Sequence, residues 1–278
     1  SKARTLFEEH YDFEKIKADS KPILKIYEQR TPFSVLLVHG LSDSPWYLQR
    51  IQDFFYNELK ANTINILNAG HGTDPLNLTT VSYKDWRKEV KWGYEFAQNL
   101  GDKVLTVGFS TGGTLLLDLI YHHPKEVAAA FFFSPAIDFY TFTSNFACFL
   151  RYFRNYLNNG ATENYPHRYR KFALNGICQL DHVMEFIKPR LQYIYTPSFW
   201  VFTENDNVIS VSSMEKAYDL VVGPKDKIVH RSNLAVAHSA TTTPKDPRPQ
   251  FFNSKQQKAY EAMISRMRSF FQSQGFLP

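Results

Sequence analysis

The sequence has little of several features that mark large classes of protein. Only two of its 278 residues are cysteine, and no group of Cys, His, Asp and Glu has the spacing of a metal site. No apolar run approaches the ~18 residues that a membrane-spanning helix needs. The net charge is +5, but Lys and Arg are scattered among acidic residues and form no basic stripe. These absences argue against a metalloprotein, a membrane-spanning protein and a nucleic-acid-binding protein.

The two cysteines are Cys148 and Cys178. Because 44% of the residues are hydrophobic, the chain can bury a substantial core without a covalent crosslink. We therefore expect both cysteines to be free thiols. The chain begins with Ser1 instead of Met, which we interpret as a trimmed N-terminus. The compartment stays open, with the cytoplasm favoured over export, and the sequence leaves monomer and dimer undecided.

Apolar segments of strand length alternate along the chain with longer segments of helical period. The predicted strands cover residues 33–38, 62–67, 103–108, 127–133, 199–203 and 227–230. The predicted helices cover residues 45–60, 81–100, 111–123, 211–221 and 253–271. This alternation predicts an α/β fold, with a mostly parallel central sheet flanked by helices on both faces.

The alternation is interrupted between about residues 138 and 196. This segment is rich in aromatic residues and is too long for a simple loop. Some of its aromatics recur at helical spacing, namely Phe142, Phe146, Phe149 and Phe153. We interpret 138–196 as a helical cap, inserted into a core of residues 1–137 and 197–278, above the sheet edge where ligands bind. For most of these aromatics, filling the cap's own core is the simpler interpretation.

Residues 108–112 read Gly-Phe-Ser-Thr-Gly, a G-x-S-x-G motif between a predicted strand and a predicted helix. At a sharp strand-to-helix turn the serine hydroxyl protrudes, and the flanking glycines leave room for so tight a bend. We therefore predict that Ser110 is a nucleophile. A serine hydroxyl is weak at neutral pH and needs a neighbouring base.

Five motifs stand in an order that resembles the α/β-hydrolase superfamily of serine hydrolases. They are VLLVHGLSDSP (35–45), AGHGTDP (69–75), GFSTGG (108–113), FTENDNVIS (202–210) and VAHS (236–239). More narrowly, the chain is similar to bacterial carboxylesterases and monoacylglycerol lipases. The similarity runs from about residue 33 to the end, although the cap sequence matches nothing specific. It implies the α/β-hydrolase fold and a catalytic triad in the order Ser, acid, His.

The base that this order implies is a histidine late in the chain. His238 follows the last predicted strand and precedes the closing helix, so we assign it as the base. His230 ends the last strand and is the nearest alternative. The resemblance gives His71, in Gly-His-Gly, the role of shaping a loop near the site.

The acid that the resemblance implies is Asp206, which follows the predicted strand 199–203. Glu204, two residues earlier, and Asp138, after the preceding core strand, remain alternatives. The oxyanion needs backbone N–H donors. Thr111, the residue after the nucleophile, supplies one, and the resemblance implicates Leu41 as the other.

Together these residues predict a serine hydrolase that cleaves short- to medium-chain carboxylic esters or monoglycerides through an acyl-enzyme on Ser110. No cofactor or metal is expected, and the expected partner is a small-molecule ester. A thioesterase, a lysophospholipase or a peptidase would use the same residues. A catalytically silent binding protein on the same scaffold is the alternative of another class. Dehalogenase chemistry is disfavoured because it would want Asp at position 110.

Overall fold

A seven-stranded, mostly parallel sheet forms the centre of the computed structural model, which describes residues 1–141, 146–158, 167–242 and 254–277. The strands in chain order are β1 (Ile23–Lys25), β2 (Thr31–Val38), β3 (Asn62–Ile66), β4 (Gly101–Phe109), β5 (Val127–Phe133), β6 (Tyr156–Asn158), β7 (Lys171–Ala173), β8 (Ser198–Thr203) and β9 (Lys225–His230). The order across the sheet is β1-β3-β2-β4-β5-β8-β9. Only β1 runs antiparallel to its neighbour, and β6 and β7 form a separate antiparallel pair.

Helices cover both faces of this sheet. They are α1 (Lys2–His10), α2 (Gln49–Glu58), α3 (Tyr83–Leu100), α4 (Thr111–His122), α5 (Ala147–Leu150), α6 (Leu174–Ile187), α7 (Val211–Leu220) and α8 (Ser254–Ser273). Apolar side chains of α2 and α8 pack on one face, and those of α3, α4, α6 and α7 pack on the other. Among the described residues, none of the helices is both long and apolar enough to span a membrane.

Strand β5 illustrates why a buried strand reads as a continuous apolar run. Successive side chains of a strand point to opposite faces, and here both faces are covered. Phe131 and Phe133 therefore join the core beneath α2 and α8, whereas Phe132 joins the core beneath α3 and α4. All three side chains have 0% exposure. The predicted α/β architecture is thus confirmed.

The predicted core strands and helices are all present, with small differences at their ends. The helix predicted over 45–60 is divided into a 3₁₀ helix, Pro45–Leu48, and α2. Residue 253, the predicted first residue of the closing helix, lies outside the described residues. The sequence pattern missed α1 and β1. Strand β1 has three residues at the sheet edge, too few for a period to emerge.

The chain between β5 and β8 leaves the sheet, and we refer to residues 138–196 as the intervening segment. Its described part holds α5, the β6–β7 pair, α6 and a 3₁₀ helix, Lys188–Tyr193. Of the four aromatics expected at helical spacing, Phe149 lies in α5, which has only four residues, and Phe146 precedes its first residue. Phe142 lies outside the described residues. Phe149 and Phe153 are 62% and 72% exposed. The interpretation that such aromatics fill a local core is wrong for these two.

The expectation of free thiols is also wrong. Cys148 in α5 and Cys178 in α6 form a disulfide, with their Cα atoms 4.6 Å apart. The argument from core size addressed only whether a crosslink is needed for stability. It could not anticipate that α5 packs directly on α6 and brings the two cysteines together.

Candidate active site

Ser110 lies at the sharp turn between β4 and α4. Its backbone angles are φ 51° and ψ −116°, a combination that non-glycine residues adopt only under strain. The end of the neighbouring strand β5 holds this turn in place. The Ser110 N–H donates to the Phe133 carbonyl at 2.9 Å, and the Ser110 carbonyl accepts from the Ala136 N–H at 3.1 Å. The bend predicted from the G-x-S-x-G motif is present.

The glycines of the motif are needed because backbone segments approach closely. A Cβ atom on Gly112 would lie 1.9 Å from the Val38 carbonyl oxygen at the end of β2. A Cβ atom on Gly108 would lie 2.6 Å from the backbone of Gly113. Both distances are far below any permitted contact. The first turn of α4 therefore rests directly against β2, which brings Ser110 next to the loop that follows β2.

Asp206 and His238 are joined by a hydrogen bond, as their predicted roles require. His238 Nδ1 lies 2.6 Å from Asp206 Oδ2, and the side chains are 10% and 0% exposed. Asp206 follows β8, and its second oxygen, Oδ1, accepts from the backbone N–H groups of Val208 and Ile209 at 3.0 and 2.8 Å. The carboxylate is therefore fixed from both sides, and His238 Nε2 is left as the ring nitrogen that can act as a base.

Burial and charge oppose each other at Asp206. Burial by itself raises the pKa of this carboxyl. The charge and hydrogen bond of His238 and the two backbone N–H groups outweigh burial, so the pKa of Asp206 lies below its usual value. Asp206 is therefore ionised at neutral pH, as an acid that stabilises an imidazolium must be.

The His238 imidazole lies beside the Ser110 turn. Its ring centroid is 5.1 Å from that of Phe109, the residue immediately before the serine. Ser110 and His238 are only 6% and 8% exposed. The three predicted residues thus come from the ends of β4 and β8 and from the chain after β9, all at the carboxyl edge of the sheet, where open α/β sheets bind ligands.

The alternative residues have other environments. His230 is 2% exposed at the end of β9, and burial lowers its pKa to about 4. The Glu204 carboxylate accepts from the Ser232 N–H at 2.7 Å on the surface. Asp138 forms an ion pair with Lys188 at 3.4 Å. These contacts favour Asp206 and His238.

The loop after β2, residues 40–43, carries the predicted oxyanion donor Leu41. Ser42 has a φ of 64°, and its N–H donates to His71 Nε2 at 3.0 Å. His71 must therefore carry its proton on Nδ1, which lies 3.1 Å from the Ala69 carbonyl. Burial lowers the pKa of His71 to about 4, so the ring remains neutral and able to accept. We refer to residues 40–43 as the oxyanion loop.

Thr111, the other predicted donor, is the first residue of α4. Its N–H belongs to the first turn, where backbone donors have no acceptor within the helix, and the helix dipole favours a negative charge there. Helix α6 packs against the other donor residue, since a Cβ on Gly176 would lie 3.1 Å from Leu41 Cδ1. The intervening segment therefore contacts the oxyanion loop.

Sequence reasoning missed two charged residues at this loop. Asp43 is 8% exposed, and its Oδ1 lies 3.7 Å from Nε of Arg168, in the intervening segment. Asp43 stands in the motif LSDSP, so a charge beside the predicted oxyanion donor was visible in the sequence. Its pairing with Arg168 was not, because the local pattern around Arg168 contains no signal that joins the two segments.

Among the described residues, one group of metal-ligating types is close enough to share an ion. Cys148, Cys178 and His182 place their ligand atoms within 4.8 Å of one another. Both sulfurs are occupied by the disulfide, however, and thiolate is the form that binds metal.

Comparison with known proteins adds to this geometry. The family model described as "Alpha/beta hydrolase family" matches residues 35–244. The chain belongs to the alpha/beta hydrolase family. This α/β hydrolase is 23% identical over 213 residues to a thermostable monoacylglycerol lipase of Bacillus sp. (strain H-257), covering 74% of this chain and 84% of the relative. It is 25% identical over 194 residues to a carboxylesterase of Bacillus subtilis (strain 168), covering 68% and 78%.

A solved structure gives the same fold. This α/β hydrolase superimposes with a TM-score of 0.75 and 17% identity on a chain from work on the metagenome-derived lipolytic enzymes LipS and LipT. The match covers 93% of this chain and 99% of that one. At this level of identity the likeness concerns the fold, and it confirms the α/β-hydrolase fold that the sequence motifs predict.

Proposed function

We propose that the chain is a carboxylic ester hydrolase that works through an acyl-enzyme on Ser110. The observation that carries the proposal is the 2.6 Å contact between Asp206 and His238, made beside a strained serine turn. A base that is held by a buried carboxylate, beside a serine at a sharp strand-to-helix turn, is the arrangement that activates a hydroxyl. The relatives named as a lipase and a carboxylesterase support the same chemistry.

In the proposed mechanism, Ser110 Oγ attacks the ester carbonyl carbon while His238 Nε2 takes its proton. Asp206 stabilises the imidazolium that forms. The N–H groups of Leu41 and Thr111 donate to the oxyanion, and the tetrahedral intermediate collapses as His238 protonates the leaving alcohol. Water then attacks the acyl-enzyme by the same route, which releases the acid and regenerates the serine.

We propose an apolar ester as the substrate, with a short- to medium-chain acyl group or a monoglyceride. The intervening segment acts as a cap in this proposal. Its helix α6 lies against Leu41, and neighbouring residues of that helix, Leu174 and Ile177, are buried and apolar. Apolar packing beside the oxyanion loop is more compatible with an acyl chain than with a charged or strongly polar group.

A series of p-nitrophenyl esters of increasing acyl length, together with a fluorophosphonate label, tests the proposal. We expect turnover of the shorter esters and covalent labelling of the peptide that contains Ser110, as mass spectrometry would identify. A monoglyceride and an acyl thioester added to the series distinguish a lipase-like preference from a thioesterase. Labelling at another residue, or none at all, would contradict the proposed nucleophile.

The matched control for Ser110→Ala is Ser134→Ala. Ser134 is also a buried serine with positive φ, 41°, and it follows the neighbouring strand β5. We expect Ser110→Ala to abolish ester turnover and labelling, whereas Ser134→Ala keeps both. Equal losses in the two variants would point to damage at the sheet edge and not to loss of a nucleophile.

A further inference from the structure

A buried carboxyl lies at the oxyanion loop, where negative charge develops during the proposed reaction. The Asp43 side chain folds back over the loop, because a Cβ on Gly40 would lie 2.8 Å from Asp43 Oδ2. The Asp43 N–H also donates to the Gly40 carbonyl at 3.3 Å. Gly40 immediately precedes Leu41, the proposed oxyanion donor. A negative carboxylate here repels the oxyanion that Leu41 is meant to stabilise.

Asp43 is close to the catalytic base as well. Burial raises the pKa of Asp43 to about 6, and the charges of Arg168 and His238 act to lower it. The Phe109 ring, whose centroid lies 5.1 Å from that of His238, would lie 3.2 Å from the same Cβ on Gly40. Asp43 is therefore buried near the proposed base, in surroundings where charges interact more strongly than they do in water.

Arg168 supplies the opposing charge from the intervening segment. Its Nε lies 3.7 Å from Asp43 Oδ1, and its side chain is 25% exposed. Backbone and ring contacts on either side fix this part of the segment to the core. The Tyr169 N–H donates to the Ser42 carbonyl at 2.8 Å, and His167 stacks on Trp46 with centroids 3.6 Å apart.

We propose that Arg168 is a positioning residue that neutralises Asp43, an inference that rests on the proposed ester hydrolysis. The oxyanion can then form beside the loop without repulsion from a buried carboxylate. The cap then does more than cover the site. The oxyanion loop carries an acidic residue, Asp43, and Arg168 neutralises its charge so that the loop can stabilise an oxyanion. Arg168 acts through Asp43 and needs no contact with the substrate.

Other titratable groups around Asp43 do not replace Arg168. Among the described residues, Lys17, His167 and Arg168 line the same small cavity as Asp43, the charge of His238 acts on it, and His71 accepts from the N–H of the preceding Ser42. The neutral His71 ring carries no charge at physiological pH. His238 must itself be neutral to act as the base. Lys17 lines the same small cavity as Asp43, and its Nζ lies 5.5 Å from the centroid of the Tyr169 ring. Within the part of the chain that the structure describes, the ion pair at Asp43 is the one with Arg168.

A double-mutant cycle tests the proposal with four purified proteins: the natural chain, Arg168→Met, Asp43→Asn, and the double variant Asp43→Asn/Arg168→Met. At a pH above the pKa of Asp43, we expect Arg168→Met to lower kcat for a p-nitrophenyl ester ~10-fold or more with little change in KM, because it exposes the oxyanion to an unpaired carboxylate. In the Asp43→Asn background, by contrast, adding Arg168→Met should lower kcat little, because the carboxylate that Arg168 neutralises is absent. The double variant recovers most of the lost kcat, since it holds neither charge. Arg168→Lys, which keeps the charge, retains most of the activity.

The pH profile separates this electrostatic role from a merely structural one. In Arg168→Met, kcat falls as pH rises through the pKa of Asp43, which lies above about 6 once Arg168 no longer lowers it. The double variant has no such decline. Thermal unfolding of each variant checks that the fold persists. If Arg168→Met proves unstable, the kcat of Arg168→Lys is compared with that of the natural chain instead.

Two results would overturn the inference. One is a double variant as slow as Arg168→Met, and the other is a loss that appears in KM alone. Both are distinguishable from failure of the proposed function, because loss of turnover in Ser110→Ala establishes the ester hydrolysis independently. If the natural chain turns over no ester, the proposed function fails, and the inference fails with it.

Discussion

At the scale of single residues, the candidate site depends on residues that are held in one backbone conformation or one protonation state. Ser110 sits in strained backbone, and Asp206 is held ionised by His238 and two backbone N–H groups. His71 is held neutral by burial so that it can accept from Ser42. Each of these states is fixed before any substrate binds. Such preorganisation lets a few groups lower a reaction barrier without rearrangement during the reaction.

Replacing His238 by Ala is expected to reduce kcat/KM for a p-nitrophenyl ester by ~10³-fold or more, because the proposed base for Ser110 is then absent. The matched control is His230→Ala. His230 ends β9 and is buried, so its loss is expected to lower stability more than the activity of the folded protein. Steady-state kinetics, normalised to folded protein by circular dichroism, measures both. The opposite pattern would reassign the base to His230.

Exchanging the acids gives a second comparison. Asp206→Asn keeps the size of the side chain but removes the charge that stabilises the His238 imidazolium, so we expect kcat to fall ~10²- to 10⁴-fold. Asp138→Asn removes an ion pair with Lys188, which is partly exposed, and is expected to change kcat little. If Asp138→Asn were the more damaging change in the same kinetic assay, Asp206 could not be the acid.

The sequence was most informative about residues that belong to a short motif. The position of Ser110 follows from Gly108 and Gly112. At each of these positions the turn brings other backbone so close that a side chain would clash with it. The contact of Asp206 with His238 was anticipated from the resemblance, although the roles of these residues remain predictions. The pairing of Asp43 with Arg168 could not be foreseen. It depends on how the intervening segment folds back, and no local pattern encodes that.

At the scale of secondary-structure elements, strand and helix periods identified the core and failed in the intervening segment. Core strands such as β5 are buried on both faces, so they appear as continuous apolar runs. The intervening segment carries exposed aromatics and short elements, such as α5 and the β6–β7 pair. Predictions from hydrophobic period assume that apolar residues are buried. Apolar residues that face solvent do not meet this assumption, so the predictions fail where such residues are common.

The disulfide between α5 and α6 is expected to stabilise the intervening segment and to leave the chemistry at Ser110 unchanged. Closing a loop of 30 residues restricts the unfolded chain by about 3–4 kcal/mol, provided that the segment unfolds with the core. We therefore expect Cys148→Ser/Cys178→Ser to lower Tm by several degrees and to keep kcat for a short ester near the natural value.

Differential scanning calorimetry of the natural chain with and without dithiothreitol, beside the double serine variant, measures this effect. The reduced protein and the variant should agree, and reductant should leave the Tm of the variant unchanged. An unaltered Tm in both would mean that the crosslinked segment unfolds separately from the sheet. Loss of activity at unchanged Tm would instead mean that the disulfide positions groups at the site.

At the scale of the whole molecule, buried histidines couple the fold to pH. Burial lowers the pKa of His39 well below its usual value, and it lowers the pKa values of His71 and His230 to about 4. In the unfolded chain these imidazoles regain their ordinary pKa of about 6.5. Between about pH 6.5 and 4 the unfolded state therefore binds protons that the folded state does not, and the free energy of unfolding falls as the pH is lowered.

Asp43 works in the opposite direction. Its raised folded pKa, about 6, means that its contribution to stability is present in acid and is lost as pH rises from about 4 to 6. Burial also raises the pKa of Asp181, so these two carboxyls oppose the three imidazoles, and we expect the histidines to prevail. We expect the free energy of unfolding, from urea titrations, to be lower at pH 5 than at pH 7 by roughly 2 kcal/mol or more.

Replacing His230 by Leu isolates one of these histidines, because burial is the cause of its shifted pKa. The variant removes one titrating group, so the stability difference between pH 7 and pH 5 should shrink by about 2 kcal/mol relative to the natural chain. His122→Gln, at a side chain that is 49% exposed, is the matched control and should leave that difference unchanged. The comparison uses the pH difference within each variant, so any loss of stability common to both pH values cancels. An undiminished difference in His230→Leu would show that protons enter the folded core of this molecule as readily as they enter the unfolded chain.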